Sequence, residues 1–512
     1  MSERADKEDG AELDLLIIGG GVNGTAVARD AAGRGLKVLL VEKDDLGQGT
    51  SSRSSKLVHG GLRYLENYEF RLVREALAER EVLLRSAPHI VWPMRFVLPH
   101  SPEQRPAWLV RLGLFLYDHL GGRERLPGTR RLDLGRDPEG APIRHEFRRG
   151  YAYSDCWVDD SRLVILNALD AARLGAGIRP RTMLAGARRE GQVWRAELLD
   201  VAAGERRVVG ARAILNAAGP WVDDVLGRTG VNASRAVRLV KGGHIVTPRF
   251  WDGPEAYILQ NDDGRIVFVL PYEGEFALIG TTDVPFTGQP EAVAISEEET
   301  SYLLRVVNRY FKRELGRAEI VHSYAGVRPL LDDAAGRGAS AVTRDYVFDL
   351  SPAEPVAGGP APLLSVLGGK ITTSRKLAEH AMDRLAPFFP GAGRAWTAGA
   401  NLPGGDLPKA DFEMFRADLA RRFPGLPERL RTHFGRLYGT AAWSILDGVK
   451  RPVDLGRHWG GLLYGREVEH LIAQEWAREA EDVLWRRTKH GLHMTGPERA
   501  AFENGFRNRR AA

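Results

Sequence analysis

The sequence predicts a mixed α/β fold with a nucleotide-binding parallel sheet, a second, antiparallel sheet and a C-terminal helical region. Three observations predict it. Residues 15–42 follow a strand–turn–helix–strand pattern, residues 257–281 contain short alternating stretches joined by turn residues, and the chain after residue 405 is rich in helix formers. Strands that alternate with helices indicate a parallel sheet, and short strands joined by tight turns indicate an antiparallel one.

The nucleotide-binding prediction depends on one local motif. The apolar run LLII leads into GGGVNG, which satisfies G-x-G-x-x-G, and a helical pattern then leads to the strand KVLLV and Glu42. In such motifs Gly19 makes the tight turn, Gly21 lets the backbone approach a pyrophosphate, and Gly24 lets helix and strand pack closely. Glu42 is placed to accept hydrogen bonds from a ribose. The complete pattern favours a bound dinucleotide over a turn without a ligand, with predicted contacts at Gly19, Gly21, Asn23, Gly24 and Glu42.

Three later stretches favour the same ligand. The loop GQGTSSRSSKL after Glu42 offers hydroxyl and amide donors, and a helical pattern directly after it argues against a flexible linker. The buried strands at 213–217 and 364–367 each enter a turn of small residues, the second of which is Gly-Gly-Lys. The predicted contacts in and directly after these stretches are Ser51, Ser52, Lys56, Leu57, Gly60, Gly219, Trp221, Gly369, Lys370, Ile371 and Thr372.

An apolar helical stripe within residues 105–131 is bordered by arginines. Trp108, Leu112, Phe115 and Leu116 fall on one face of the predicted helix. A basic amphipathic helix that carries Trp and Phe is typical of a membrane surface. The same pattern also fits a core-facing helix with a solvated basic edge, so both interpretations stay open.

Composition narrows the class of protein. The chain has 512 residues and a formal net charge of +5, from 72 basic and 67 acidic residues spread along its length. This balance does not imply nucleic-acid binding, although it suits an anionic substrate or an anionic membrane surface. The polar start and the lack of a long apolar run predict an intracellular protein that does not cross a bilayer.

Metal binding is not expected from the sequence. The single cysteine, Cys156, excludes an intrachain disulfide and a cysteine cluster, and it is predicted to be a buried small residue. The thirteen histidines show no paired ligand spacing.

Motifs along nearly the whole chain resemble the FAD-dependent glycerol-3-phosphate dehydrogenases, specifically the aerobic respiratory type. They are IIGGGVNGTAVARDAAGRG, TSSRSSKLVHGGLRYLE, YSDCWVDD, KGGHIV, YILQNDDGRIVFVLPY, GTTDV, GVRPL, TRDY, LGGKITTSRKLAEHA and LWRRTKHG. Two positions depart from the family's usual pattern. This sequence has Ala26 where the family usually has glycine, and Ser374 where the family usually has tyrosine. The resemblance implies a fold similar to the glycine and D-amino-acid oxidases, with FAD as the cofactor.

The resemblance also divides the chain into regions. It implies a discontinuous FAD-binding domain formed by residues 11–100, 150–235 and 345–400. A substrate domain with an antiparallel sheet is expected from residues 101–149 and 236–344. Residues 405–512 are expected to form the C-terminal helical domain.

Family positions further imply the reacting groups. The expected reaction oxidises sn-glycerol 3-phosphate to dihydroxyacetone phosphate by hydride transfer to FAD, with electrons passed to a membrane quinone. Arg328 and Arg344 are assigned chiefly to the phosphate, because guanidinium groups bind phosphate oxygens in pairs. His244 is the preferred general base, and the alternative is Arg328 polarising the alkoxide while water takes the proton. The expected substrate-binding residues are Arg63, Tyr64, His244, Arg328, Arg344 and Lys370.

Two other functions remain open at this point. One is an oxidase that passes electrons to oxygen, and the other is a catalytically silent flavoprotein that acts as a binding or scaffold module at the membrane. The set Arg63, Arg328, Arg344 and Lys370 argues against a lost active site. The expected location is the cytoplasm, with peripheral attachment to the inner face of the cell membrane, and a homodimer is one alternative for the oligomeric state.

Overall fold

A computed structural model describes residues 12–101, 106–232, 235, 237–331, 345–352 and 359–511. The strands of this part of the chain are β1 Leu13–Ile18, β2 Val38–Glu42, β3 Leu57–Val58, β4 Val91–His100, β5 Arg130–Asp133, β6 Arg149–Val158, β7 Gly177–Pro180, β8 Thr182–Glu190, β9 Val193–Asp200, β10 Arg206–Asn216, β11 Val237–Pro248, β12 Ala256–Gln260, β13 Ile266–Tyr272, β14 Phe276–Gly280, β15 Val284–Pro285, β16 His322–Leu331, β17 Val347–Ser351, β18 Leu363–Leu367, β19 His458–Gly460 and β20 Leu463–Tyr464. The α-helices are α1 Val22–Gly33, α2 Phe70–Ser86, α3 Ala107–His119, α4 Asp160–Arg173, α5 Val222–Thr229, α6 Glu297–Tyr310, α7 Ser374–Leu385, α8 Phe412–Arg422, α9 Glu428–Tyr438, α10 Ala442–Ile445, α11 Gly465–Gln474 and α12 Gly496–Ala511.

The first sheet has the strand order β17-β18-β10-β1-β2-β7, and β8 and β9 extend it from β10. Strands β18, β10, β1, β2 and β7 are parallel neighbours, whereas β17 is antiparallel. Leu15, Leu16 and Ile17 of β1 are fully buried, as the continuous apolar run predicts for a strand covered on both faces. Helices α1, α4 and α7 pack together on one side of this sheet. The predicted mixed α/β fold and its parallel nucleotide-binding sheet are confirmed.

The second sheet has the order β15-β11-β14-β13-β12-β4-β6-β3, with β16 on β11 and β5 on β6. The predicted meander is confirmed, because β12, β13 and β14 pair in antiparallel register. Strands β4 and β6 pair along their whole length, and β12 joins them in parallel through β4. Residues 91–100 and most of 149–158 were expected in the FAD-binding domain, so the second sheet begins earlier in the chain than the predicted boundary at residue 101.

The C-terminal region is helical and has its own core. Its buried side chains include Phe415, Phe434 and Phe502. A π-helical turn, Asp482–Arg487, attaches this region to the first sheet. Arg486 Nε donates to Asp45 Oδ2 at 2.6 Å and Arg487 Nη2 donates to Asp45 Oδ1 at 2.8 Å. Burial alone would raise the pKa of the Asp45 carboxyl, but the two guanidinium groups hold it below its usual value.

Helix α3 presents its apolar stripe to solvent. Trp108, Leu112 and Phe115 are 67%, 47% and 58% exposed, whereas Leu114 and Tyr117 on another face are buried. The stripe therefore does not face the core, although the helix packs on the core through Leu114 and Tyr117. Among the described residues, the helices are all too short or too polar to span a membrane.

Candidate active site

A cavity of about 1320 Å³ lies between the two sheets. Ile18 and Val41, at the carboxyl ends of β1 and β2, line one side of it, and Phe268 and Arg328 of the second sheet line another. The carboxyl edge of a parallel sheet is the usual place for a nucleotide in this fold class. The cavity is therefore the candidate active site.

The turn between β1 and α1 forms one wall of the cavity. Gly19 has φ +112°, and a Cβ there would lie 2.5 Å from the carbonyl oxygen of Ala217. A Cβ on Gly24 would lie 1.9 Å from the carbonyl oxygen of Gly19, although Gly24 itself does not line the cavity. Gly21 is the N-cap of α1, and the first residues of the helix, whose amides have no partner within the helix, line the cavity. This backbone arrangement fits a pyrophosphate.

Glu42 and Ser51 extend the same wall. Glu42 Oε2 accepts a hydrogen bond from the Gly20 amide at 2.7 Å, and Oε1 accepts one from the Asp44 amide at 2.9 Å. Burial raises the pKa of the Glu42 carboxyl. Ser51 Oγ accepts a hydrogen bond from the Val22 amide at 2.9 Å and keeps its own hydrogen to donate. Both side chains are thus fixed by backbone amides at the cavity surface.

A second glycine turn meets the first at Asn23. Asn23 Nδ2 donates to the Gly368 carbonyl at 3.1 Å, and a Cβ on Gly369 would lie 3.0 Å from the same nitrogen. Within the described part of the chain, Asn23 Oδ1 is buried and accepts no hydrogen bond. A buried acceptor without a donor is costly, so this oxygen suits a ligand that donates to it. Together the two turns fit a dinucleotide.

Cationic groups from the second sheet and from the second turn face the same space. Arg328 on β16 donates from Nη2 to Thr281 Oγ1 at 3.0 Å and from Nη1 to Asp283 Oδ1 at 3.2 Å. Lys370 Nζ lies 3.7 Å from the centroid of the Tyr64 ring. Arg328, Lys370 and Tyr64 all line the cavity. The site therefore combines a dinucleotide cradle with two positive charges that can bind an anionic substrate.

His244 lies one layer behind the cavity surface. Its ring is 1% exposed, stacks on Tyr324 with centroids 4.8 Å apart, and does not line the cavity. Its Nε2 lies 2.9 Å from the hydroxyl oxygen of Ser55, which does line the cavity. Burial, with contributions from Arg328 and Lys56, holds the pKa of His244 well below 6.5. The imidazole is therefore neutral at physiological pH.

Most of the residues predicted from the sequence line this one cavity. Those that do are Gly19, Gly21, Asn23, Glu42, Ser51, Leu57, Tyr64, Gly219, Trp221, Arg328, Gly369, Lys370, Ile371 and Thr372. The predicted residues that the structure places behind its surface are Gly24, Ser52, Lys56, Gly60 and His244. Arg344 lies outside the described residues, and only the backbone of Arg63 is described, in a 3₁₀ helix.

Two of the residues behind the surface support the loop instead of contacting the ligand space. Lys56 Nζ pairs with Asp160 Oδ2 at 2.9 Å and is 2% exposed, so its ammonium is fixed inside the protein. The Gly60 amide donates to the Tyr117 hydroxyl at 2.7 Å. Ser374, at the unusual position, is also buried and donates its hydroxyl to the Ile371 carbonyl at 2.9 Å. This bond supports the second turn from behind.

Sequence reasoning missed several cavity residues. Ser55 and His59 belong to the motif TSSRSSKLVHGGLRYLE, while Thr281 and Asp283 follow β14 in the motif GTTDV. Only the structure shows that Thr281 and Asp283 hold the guanidinium of Arg328. A polar cluster directly after a predicted strand was the available signal.

Comparisons with known proteins agree with this geometry. Residues 14–375 match the family described as FAD dependent oxidoreductase, and residues 395–503 match the C-terminal domain of alpha-glycerophosphate oxidase. The chain is similar to the X-ray structure of a glycerol-3-phosphate dehydrogenase from Bacillus halodurans complexed with FAD, with a TM-score of 0.76, 24% identity, and coverage of 99% of this chain and 96% of that one. At that identity the likeness supports the fold.

Two relatives are similar in sequence over almost their whole length. The D-erythritol 1-phosphate dehydrogenase of Brucella abortus is 60% identical over 97% of this chain and 98% of that protein. The glycerol-3-phosphate dehydrogenase of Pseudomonas aeruginosa is 54% identical over 94% of this chain and 92% of that protein.

Proposed function

Because this chain belongs to the family of FAD-dependent glycerol-3-phosphate dehydrogenases, we propose that it oxidises sn-glycerol 3-phosphate to dihydroxyacetone phosphate and passes the electrons to a membrane quinone. FAD is its cofactor. One observation carries the proposal: the dinucleotide cradle and the charges of Arg328 and Lys370 share a single cavity. A substrate with a phosphate monoester next to a secondary alcohol needs the charges to bind its phosphate and the cofactor to oxidise its alcohol.

The first turn, with Gly19, Gly21 and Glu42, would hold the pyrophosphate and the ribose of FAD. The second turn, with Gly369 and Lys370, would hold the flavin end. When bound, FAD supplies the acceptor for the hydride that leaves the substrate carbon. Ser51 and Asn23, each fixed by the hydrogen bonds described above, orient the cofactor between the two turns.

Arg328 binds the substrate phosphate in this proposal. Its guanidinium is already held by Thr281 and Asp283, so little side-chain entropy is lost when the phosphate arrives. Planar guanidinium groups bind two phosphate oxygens at once, which fixes the orientation of a small substrate. Lys370, above the Tyr64 ring, adds the second positive charge nearer the second turn.

The hydroxyl proton of the substrate passes to His244 through Ser55. The tautomer of His244 that carries its hydrogen on Nδ1 leaves Nε2 to accept the Ser55 hydroxyl hydrogen at 2.9 Å. As the substrate hydroxyl gives its proton to Ser55 Oγ, Ser55 gives its own to His244, so the hydroxyl oxygen of Ser55 is unchanged at the end. The neutral state of His244 makes this transfer available.

Replacement of His244 by asparagine is expected to lower kcat by about 10²–10³-fold, because an amide can accept the Ser55 hydrogen bond but cannot take up a proton. Bound FAD should be retained. Steady-state kinetics with an artificial electron acceptor, together with the visible absorbance of the purified protein, would measure both. The matched control is His322→Asn, since His322 lies on the same sheet but stacks on Trp485; its kcat should stay within about twofold. Equal kcat values for wild type and His244→Asn would exclude His244 from proton transfer.

The proposed reaction is tested most directly by anaerobic titration of the purified protein with sn-glycerol 3-phosphate. We expect the flavin absorbance to bleach with a stoichiometry of about one substrate per chain. A spectrum that does not change would support the silent scaffold instead. Hydrogen peroxide released in air would then identify an oxidase, whereas transfer to a soluble quinone analogue without peroxide supports the dehydrogenase.

D-Erythritol 1-phosphate is a second candidate substrate, because the relative named for it is 60% identical to this chain. It also joins a phosphate monoester to a polyol, so the same cationic groups suit it. The titration should therefore be repeated with this compound, and kcat/KM compared between the two. A preference of more than about tenfold for D-erythritol 1-phosphate would reassign the substrate and leave the FAD-dependent oxidation of a polyol phosphate intact.

Attachment to the membrane through α3 is part of the proposal. Its exposed apolar stripe and the exposed Arg111 suit an anionic lipid surface. Trp108, Leu112 and Leu116 of the same helix also line the cavity. A quinone dissolved in the bilayer would then reach the cofactor without crossing water.

Replacement of Trp108, Leu112 and Phe115 together by serine is expected to weaken binding to anionic vesicles by at least about tenfold, because burial of each side chain in the interface contributes on the order of 1.5 kcal/mol or more. Cosedimentation at low salt would measure it, and retained FAD would show that the variant is folded. The matched control replaces Val208 and Val453 by serine. These two valines lie outside α3 and are 64% and 67% exposed. Unchanged binding of the triple variant would exclude α3 as the lipid contact.

A further inference from the structure

A buried cluster of metal-ligand side chains lies in the C-terminal helical region, away from the cavity. It consists of His433 on α9, Glu467 on α11 and His490 directly after the π-helical turn, and it is defined here as the HEH cluster. One ligand atom from each residue lies within 4.8 Å of the other two. The side chains of His433 and Glu467 are 8% and 0% exposed, and His490 is 2% exposed. None of the three lines the cavity.

Hydrogen bonds satisfy only part of this cluster, in which Glu467 Oε1 also accepts from the Tyr438 hydroxyl at 2.7 Å. His433 Nε2 lies 2.7 Å from Glu467 Oε1 and 3.3 Å from His490 Nε2. His433 Nε2 carries at most one hydrogen. If it donates that hydrogen to Glu467, it has none left for the lone pair of His490 Nε2. A hydrogen on each Nε2 would direct two hydrogens at one another.

Two further polar atoms in the cluster also lack hydrogen-bond partners. Over the residues that the structure describes, Glu467 Oε2 and His490 Nδ1 are buried and make no hydrogen bond. A bound cation would give the unpartnered Glu467 oxygen a partner.

The spacing of the two rings matches a tetrahedral metal site. Two nitrogens that are each about 2.05 Å from a tetrahedral Zn²⁺ lie about 3.3 Å apart, which is the separation of His433 Nε2 and His490 Nε2. The distance from His433 Nε2 to Glu467 would lengthen by roughly 0.7 Å when a cation replaces the shared hydrogen. A rotation of the Glu467 carboxylate would provide this change, with the Tyr438 hydroxyl, which donates to the same oxygen, following it.

We propose that the HEH cluster binds one Zn²⁺ through His433 Nε2, His490 Nε2 and the carboxylate of Glu467. Two imidazoles with one carboxylate favour Zn²⁺ over Mg²⁺ or Ca²⁺, which prefer oxygen ligands. Burial of all three ligands indicates a structural site, because a catalytic one keeps an open position for water or substrate. The unpartnered Glu467 Oε2 can complete four donors in a bidentate arrangement.

No metal site is expected from the sequence, because the three ligands lie far apart along the chain. His433 and Glu467 are separated by 34 residues, and His433 and His490 by 57. Neither separation is a local ligand motif. Only the packing of α9 against α11 and the segment after the π-helical turn brings the three together.

A metal here would fix, within the C-terminal region, the segment that contacts the first sheet. The segment that carries His490 also carries Arg486 and Arg487, which bind Asp45, and Lys489, which binds Asp159. Asp45 lies three residues after Glu42, next to the dinucleotide wall. Zn²⁺ bound to His490 would therefore hold the C-terminal end of this segment in place.

The test uses FAD-loaded protein that has been treated with a chelator and then titrated with Zn²⁺ in competition with a chromophoric chelator. Wild type is expected to bind about one equivalent, with a rise in Tm on metal addition. His490→Gln and His433→Gln should each weaken binding by at least about a hundredfold and lose the Tm increase. Co²⁺ in place of Zn²⁺ should give the absorption of a tetrahedral site in wild type alone.

The matched control is His458→Gln, because His458 is an exposed histidine of the same region. It should bind Zn²⁺ as tightly as wild type. Wild type that takes up less than about a tenth of an equivalent would overturn the proposal. Equal binding by wild type and both cluster variants would do the same, since the metal would then sit on a surface site. Because the wild-type titration is decisive alone, a variant that fails to fold does not prevent the test.

Discussion

Replacement of Arg328 by methionine is expected to lower kcat/KM for sn-glycerol 3-phosphate by about two to four orders of magnitude. Hydrogen bonds to charged groups contribute about 1.5–3 kcal/mol each, and a guanidinium makes two of them to a phosphate. Each 1.36 kcal/mol corresponds to about a tenfold change in rate. The variant also loses affinity through charge repulsion. Without the guanidinium that pairs with it in the wild type, the Asp283 carboxylate repels the substrate phosphate.

Steady-state kinetics and the flavin absorbance of the purified variant would separate the two roles of the cavity. FAD should remain bound, since Arg328 comes from the second sheet and not from the dinucleotide turns. The matched control is Arg309→Met, which removes another arginine of the same region that pairs with an aspartate, Asp262, at 2.7 Å. Its kcat/KM should change less than about threefold. A variant of Arg328 with wild-type kcat/KM would contradict the assignment of the phosphate site.

The local part of the fold could be predicted from the sequence because its chemistry is local. The apolar run, the glycines and Glu42 lie within one stretch, and the structure gives β1, α1 and β2 there. Tight turns restrict residue type strongly, so Gly19 and Gly24 were informative without any knowledge of the tertiary structure. The meander of β12, β13 and β14 was equally visible through its turn residues.

Long-range pairing could not be predicted in the same way. Strands β4 and β6 pair with each other and join the second sheet through β12, far along the chain. Nothing local in their sequences shows which sheet contains them, because their pairing partners lie far along the chain. The domain division expected from the motifs therefore assigned β4 and most of β6 to the FAD-binding domain, although both strands belong to the second sheet.

His244 illustrates the same limit at the level of one side chain. The sequence indicates an important histidine, but the hydroxyl that separates it from the cavity comes from Ser55, which is 189 residues away. Helix α3 is a related case, because its periodicity defines an apolar stripe without telling which face is buried. The structure buries Leu114 and Tyr117 and leaves Trp108 in solvent.

Replacement of Gly24 by valine is expected to raise the dissociation constant of FAD by about two orders of magnitude or more, so that the protein purifies largely without flavin. The added Cβ would lie 1.9 Å from the carbonyl oxygen of Gly19, and the contact is with backbone, which cannot move aside as a side chain does. The turn must shift, and the amides at the start of α1 shift with it. Flavin absorbance per chain and FAD titration would measure the loss.

The position of Gly24 makes this test specific for packing. Gly24 does not line the cavity, so valine there leaves every predicted contact side chain in place and changes only the geometry that presents them. The matched control is Gly227→Val in α5, where a Cβ would meet nothing within 4 Å. That variant should retain FAD, because valine has a better helix propensity than glycine by a few tenths of a kcal/mol. If Gly24→Val bound FAD as tightly as Gly227→Val does, close packing of α1 on β1 would not be what forms the pyrophosphate site.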